Sequence, residues 1–424
     1  MKLFSISLAP QVRREDAMRA LALLAPWNWG KWRYGEHIGK ATRKIEEELG
    51  SDHVYLFDKA RSGLRMILES MDIGPRDEVI VQAFNCIVVP EAVMATGAKV
   101  VYADIDPETL NISLESLKKK ISSRTRAVIV QHTFGVPAPV REIMSLSKSH
   151  GFWVIEDSAH GMGGSYSGKK LGTWGHAAIF SFGRDKALFC ASGGSVVIND
   201  SALVEPFEGR IVKIPPMSRI NIGRYLLYSA FIFWIREYYH WKGVRFLFFL
   251  AHKLRIFPSV YSWEEKNGMM GSAPKYSLPN ALAFILFYQL ESLKESNAHR
   301  VELSTIYRRE LFGLALLRLP PDASRDQEPF YLLRYNIITQ KAGDLRSYFR
   351  KKSLILGDWY GHVLFPNIGD VRLGYRAGEC PRAEAAAGSC VNLPTCLSFS
   401  KKEAEKLAED IKQYFYDRDS RNRR

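Results

Sequence analysis

Cysteine is scarce in this 424-residue chain: Cys86, Cys190, Cys380, Cys390 and Cys396 are odd in number and lack the spacing of zinc ligands. Their scarcity argues against a disulfide framework and points to a reduced, cytosolic protein. No apolar run reaches the ~20 residues of a membrane-spanning helix. The opening MKLFSISLAPQVRRED has too short an apolar run, and no small-residue cleavage site, for a secretory signal. Internal repeats and low-complexity tracts are missing. So are helix-turn-helix and zinc-finger patterns, which sets nucleic acid aside as a partner. Acidic residues are also short: 45 Asp plus Glu stand against 59 Lys plus Arg, a formal net charge of +14. That surplus suits an anionic membrane surface or acidic small molecules.

What remains is ordinary globular composition, with 46% hydrophobic and 25% charged residues, in a chain long enough for more than one core. The first ~50 residues read as an approach segment with a turn at Ala9-Pro10, an amphipathic stretch from Asp16 to Leu24, a loop carrying Trp27, Trp29 and Trp32, and a charged helix through IGKATRKIEEELG. The tryptophans are expected to pack at a domain or subunit surface. From His53 a rhythm sets in. HVYLFD, EVIVQAF, KVVYADI, RAVIVQHTF and FWVIED alternate with helical stretches such as RSGLRMILESM and PVREIMSLSKSH. Strands and helices of these lengths indicate βαβ units and a largely parallel α/β sheet, whose ligands lie at the carboxyl ends of the strands.

The rhythm breaks between residues 213 and 272. There YLLYSAFIFWI and VRFLFFLAHKLRIFP are interrupted by Arg236, Glu237, Lys242, Arg245 and Lys253. One reading is a pair of buried helices or a subunit contact. The other is an interfacial hairpin over 225–256, with its aromatics in a membrane surface and its cations at lipid headgroups. Beyond it, LPNALAFILFYQLESLKESNAHRVELSTIYRREL reads as one long helix after Pro279, and YLLRYNIIT as a strand. FSKKEAEKLAEDIKQYF reads as a helix with Ser400 and Glu403 at capping-box spacing. DRDSRNRR reads as a solvated tail.

The chemistry concentrates between Phe152 and Asp200. Asp157 ends one strand, Ser181 ends another, and Lys186 follows five residues later. Ala60, Arg61 and Ser62 fall where HVYLFD hands over to a helix, whose first N–H groups are free to hold an anion. Singly these residues are a helix cap, a buried hydroxyl, a surface charge and an ordinary turn. Together they ask for a ligand with a basic ring nitrogen, a phosphate and a carbonyl that an amine can attack. Pyridoxal 5'-phosphate carries all three.

VIEDSAH-GMGGSYSGKKLGTWGHAAIFSFGRDKALFCASGG resembles the signature of the DegT/DnrJ/EryC1/StrS family, sugar aminotransferases of fold type I. GPRDEVIVQAFNC, VYADIDPETLNI, VIVQHTFGVP, FYQLESLKESNAHR and CPRAEAAAGSCVNLP resemble further family blocks in the same order. The resemblance implies a large domain over 1–212 with a mostly parallel seven-stranded sheet and a small α+β domain over 273–424; residues 213–272 align with nothing in the family pattern and are read as an insertion. It also implies a homodimer with sites at the subunit interface.

By that resemblance Lys186 holds the cofactor as a Schiff base and moves the proton, and Asp157 keeps the pyridine nitrogen protonated. Ser181 and the main chain at Ala60 and Arg61 take the phosphate. The implied reaction moves an amino group, from glutamate, to a nucleotide-linked keto sugar for surface-glycan assembly. Departures accompany it. The glutamine that bonds the cofactor's phenolic oxygen is His160, whose protonation would tie the cofactor's state to pH. The aromatic that stacks on the ring is Cys86, with Phe84 nearby. The partner subunit's asparagine at the phosphate is Lys275, followed by Ser277 in place of an arginine. The substrate-binding histidine-tyrosine pair is Trp359-Tyr360. Family dehydratases carry histidine in place of the lysine, so Lys186 argues against that activity. A membrane-associated, non-catalytic module that keeps the fold is the alternative of another class.

Overall fold

The computed structural model describes residues 4–267, 275–323 and 329–422, with the side chains of 370 and 418–422 left aside. The opening Met1–Leu3 and the end of the insertion, 268–272, lie outside the described residues. Seven strands form one sheet: β1 (Val54–Phe57), β2 (Glu78–Gln82), β3 (Lys99–Ala103), β4 (Thr125–Gln131), β5 (Trp153–Asp157), β6 (Ala177–Ser181) and β7 (Gly194–Ile198). Their order is β3-β2-β4-β5-β6-β7-β1. All are parallel except β7, which runs against both of its neighbours. EVIVQ and GSVVI are buried at every position because both faces of the sheet are covered, so these strands show no polar alternation. The carboxyl ends of β1, β5 and β6 therefore open on one edge.

The period of two along β5 turns Glu156 and Asp157 to opposite sides. Glu156 is fully buried and accepts from the main-chain N–H of Gly172 (2.9 Å), Trp174 (2.6 Å) and Gly175 (2.8 Å), fastening the glycine-rich turn between β5 and β6. His132 completes the cluster. Its Nδ1 accepts from the Ala138 N–H, which leaves the proton on Nε2, 2.9 Å from Glu156 Oε2. Gly172 has no alternative at φ +88, because a Cβ there would stand 2.4 Å from the Phe180 ring.

The helices that matter to the site are α1 (Arg14–Leu24), α2 (Glu36–Leu49), α3 (Ala60–Ser70), α4 (Arg219–Glu237), α5 (Lys242–Lys253), α6 (Asn280–Glu291), α7 (Leu293–Leu311) and α8 (Lys401–Asn422). α2 ends at Gly50 in the left-handed conformation, φ +65. Of the tryptophans expected at a surface, Trp27 and Trp29 are exposed. Trp32 is buried, its Nε1 donating to Leu23 O (2.8 Å). The long helix expected after Pro279 is two, α6 and α7, divided at Ser292. The Ser292 hydroxyl bonds back to Gln289 O (3.0 Å), a local alternative to the helical ladder. The strand read in YLLRYNIIT shortens to β8 (Tyr335–Ile338), paired antiparallel with β9 (Cys390–Leu393). Leu303, Tyr307 and Leu311 of α7 share an apolar cluster with Ala404, Leu407, Ile411 and Phe415 of α8. The capping box forms as spaced, Glu403 accepting from the Ser400 N–H at 2.7 Å. α8 runs on to Asn422 where a tail was expected, and 423–424 lie outside the described residues.

The insertion divides. In α4, Ile222, Leu226, Tyr228 and Ile232 are buried against α1 and α6. The buried Arg236 donates to Ala9 O and Val12 O, both at 2.9 Å, tying the approach segment to the insertion. In α5 no residue is buried. The stretch 225–256 is thus neither wholly core nor wholly interfacial. No helix among the described residues is long and apolar enough to cross a membrane. Arg236→Met strands two carbonyls and is expected to lower stability by about 3 kcal/mol, the scale of two charge-assisted bonds. An unchanged urea midpoint would show that α4 holds the approach segment by other means.

Candidate active site

A cavity opens at the carboxyl edge, lined by Ala60, Arg61, Cys86, Asp157, His160, Ser181, Lys186, Trp359 and Tyr360. Those nine residues, scattered over 300 positions of sequence, meet because β5 and β6 end side by side, β1 ends on the same edge beyond the antiparallel β7, and the 359–360 segment folds back over them. Lys275 is not among the lining residues. Its Nζ pairs with Glu69 of its own chain at 2.6 Å, and Ser277 bridges to Phe57 and Pro216.

Lys186 Nζ lies 2.9 Å from His160 Nε2 and 4.9 Å from the centre of the Trp359 ring. Lys186 is half-buried and borders the cavity. Burial lowers its pKa first, Arg334 adds to that, and Cys86, Asp157 and Asp185 oppose it. An amine held toward its neutral form is a nucleophile. His160 Nδ1 accepts from the Phe134 N–H at 3.1 Å, so the neutral ring carries its proton on Nε2 and offers it to Lys186. Phe134 reaches this geometry in the left-handed region, φ 56. Burial, followed by the charges of Lys186 and Arg334, holds the imidazole well below its ordinary range. A second proton on the ring would have to meet the Phe134 N–H, which opposes the pH link expected through His160.

His160 stacks on Phe134 at 4° and on Trp359 at 20°, while Tyr360 lies 13° from Trp359 and 24° from Phe134. Beneath Trp359 the Arg334 guanidinium sits 3.7 Å from the ring centre, buried, and 3.9 Å from Asp185. This aromatic block fixes the wall opposite Lys186. Phe84, near Cys86 in the sequence, packs edge-on against Phe134 and Tyr360 and does not line the cavity.

Asp157 is buried. Its Oδ1 accepts from the Ala159 N–H at 3.1 Å. Burial pushes its carboxyl up, against the pull of Lys186. At the other end of the cavity α3 begins without a side-chain cap, leaving its first N–H groups free of helical partners. Gly194 of β7 passes so close that a Cβ there would stand 2.3 Å from Ala60 N. This donor set fits pyridoxal phosphate: Lys186 would take its carbonyl carbon, Asp157 its ring nitrogen, and Ser181 with the main chain at Ala60 and Arg61 its phosphate.

The insertion returns to cover the cavity. Tyr225, Ser259, Val260 and Tyr261 line it, and the Arg184 guanidinium donates to Pro258 O. The Tyr261 hydroxyl stands 3.7 Å from Cys86 Sγ, its pKa driven up by burial, and the Arg61 guanidinium lies 5.4 Å from the Tyr261 ring centre. Glu265 caps the turn Trp263–Lys266 through Ser262 and faces Arg61 Nη1 at 2.7 Å, off the axis of a hydrogen bond, with Lys59 Nζ at 3.9 Å. A tyrosine thus stands against Cys86. Nothing in the pattern of the insertion signals it, since Tyr261 is one aromatic among many there.

Glu91 lies beside Arg61 and Glu265, buried and with neither carboxyl oxygen hydrogen-bonded. Burial, then the charge of Glu265, raises its pKa to about 8. A raised carboxyl stabilises the fold below its unfolded value, 4.5, and that contribution is lost as pH climbs through about 8. Glu91→Gln is therefore expected to raise the melting temperature at about pH 8.5, with the gain vanishing toward pH 4.5; an equal gain at both would place the effect elsewhere. Glu265→Ala is expected to speed tryptic cleavage at Lys253 and Arg255, and cofactor release, several-fold. Unchanged rates of both would show that the cover is held without it.

The match to the DegT/DnrJ/EryC1/StrS aminotransferase family spans residues 13–219 and 250–412, so only 220–249, nearly all of α4 and the first two-thirds of α5, lies outside the family pattern, a narrower gap than the 213–272 expected from the sequence. Among curated relatives, GDP-perosamine synthase of Escherichia coli O157:H7 is 25% identical over 387 residues, 91% of this chain and 92% of that one. Among solved structures, DesI in the presence of its TDP-sugar product superposes with a TM-score of 0.73 at 18% identity, covering 100% of this chain and 96% of that one. The PLP form of Spr1654 from Streptococcus pneumoniae does so with 0.73 at 16%, covering 97% and 98%. With this fold and this match over most of its length, the chain belongs to the DegT/DnrJ/EryC1/StrS aminotransferase family, as a pyridoxal-phosphate-dependent enzyme.

Proposed function

We propose that the protein transfers the amino group of glutamate to the keto group of a nucleotide-linked sugar, as a homodimer, in surface-glycan biosynthesis. The observation that carries the reading is the Lys186 amine, held toward neutrality 2.9 Å from a donating imidazole in the same cavity as the buried Asp157. When bound, the cofactor ring supplies an electron sink for the carbon that loses its proton. The rest belongs to the chain. Lys186 carries the proton between the reacting carbon and the cofactor, Asp157 holds a proton on the ring nitrogen, and His160 donates from Nε2 to the ring oxygen. Trp359 and Tyr360 form the wall against which a sugar would lie. The surplus of cations, and relatives named for GDP- and TDP-linked sugars, support a nucleotide diphosphate as the carrier.

Transamination and dehydration differ in what happens to the donor. A dehydratase of this family carries histidine at the lysine position, and this chain has Lys186. Incubating the cofactor-loaded enzyme with glutamate is expected to release one equivalent of 2-oxoglutarate and shift the cofactor's absorption. A nucleotide keto sugar should then restore the spectrum. Lys186→Ala should lower 2-oxoglutarate release by at least ~10³-fold, the scale of a lost acid–base group. Wild-type enzyme that releases no keto acid from glutamate or any other amino donor would overturn the proposal and favour a non-catalytic module.

A further inference from the structure

We infer that the outer face of α5, with the groove between α4 and α5, docks the enzyme on an anionic lipid surface. Phe246, Leu247 and Phe249 are each 60–63% exposed on a helix with no buried residue. The apolar surface continues through Trp241, Leu254 and Ile256, all exposed, and into a groove floored by Phe231, Trp234 and Phe248. Isolated exposed apolar side chains are ordinary, but a contiguous aromatic face marks a contact.

The charge pattern names the partner. From Tyr238 to Trp263 the sequence holds no acidic residue, whereas Lys242, Arg245, Lys253 and Arg255 all fall there. None of the four makes an ion pair among the described residues, so their charges face outward. A second copy docking patch to patch would set these cations against one another, because a twofold contact is self-complementary only if the patch is. A bilayer carrying anionic lipids supplies what the face lacks: an apolar interior for the aromatics and negative headgroups for the rim. α5 has 12 residues and is about 18 Å long at 1.5 Å per residue, so it would lie in the interface, not cross it.

The same face reaches the active site. Val260 is 45% exposed and also lines the cavity, directly before Tyr261. Phe257 packs against Tyr228, Phe248 and His252, joining α5 to α4 and to this cover. Docking through α5 would therefore set the mouth of the cavity beside the bilayer, whichever sugar it takes.

The test is co-sedimentation of the full, cofactor-loaded chain with vesicles of phosphatidylcholine alone or with phosphatidylglycerol added. The wild type is expected to pellet with the anionic vesicles, and at least ten-fold less with the neutral ones. Combining Phe246→Ser, Leu247→Ser and Phe249→Ser should abolish pelleting, and Arg245→Glu with Lys253→Glu should weaken it at least ten-fold. Melting temperature and cofactor absorbance should stay at wild-type values in both variants, which separates docking from folding. Wild type that stays in solution, variants that still pellet, or a serine variant whose only change is a smaller assembly in solution would each overturn the inference. The last of these would assign the face to a second copy.

Discussion

A strand turns successive side chains to opposite faces, and on that period the site depends. Glu156 and Asp157 are neighbours in β5. One is spent on the main chain of the glycine-rich turn, and the other faces the cavity. If the register slipped by one residue, the carboxylate that anchors the turn would enter the cavity and the one meant for the cofactor would be buried among N–H donors. The parallel pairing of β5 with β4 and β6 fixes that register, and with it the positions from which Ser181 and Lys186 depart.

Around this fixed edge, buried charge is managed by neighbours. Burial, helped by Arg334 beneath Trp359, keeps the Lys186 amine toward neutrality, and burial with the charges of Lys186 and Arg334 keeps the His160 imidazole neutral, its Nδ1 taken by the Phe134 N–H. At the opposite end Lys59, Arg61, Glu91 and Glu265 are gathered in one place. There an ion pair and a protonated carboxyl limit the charge left uncompensated in a low-dielectric pocket.

Two contacts gather where the chain covers the cavity. Tyr261 stands against Cys86. Arg61, at the start of α3, faces Glu265. The insertion is thus core in α4, cover at 258–265 and open surface in α5. A deletion of the whole would confound three roles, whereas point changes on α5 address one.

The alternating strands and helices, the fold and the acid-serine-lysine set were all legible in the sequence, because period and motif spacing are local properties. The capping box at Ser400 was legible for the same reason. Other features were not. The break at Ser292 depends on one hydroxyl choosing a carbonyl. The tautomer of His160 depends on an N–H 26 residues away, and the roles of Arg334, Tyr261 and Glu265 depend on which distant segments touch. The sequence by itself determined what chemistry the chain carries, since residue identity sets that. Only the tertiary structure decided which histidine nitrogen meets the lysine, what closes the cavity and which half of the insertion is left facing outward. Those outcomes follow from packing between segments far apart in the chain, which no local pattern encodes.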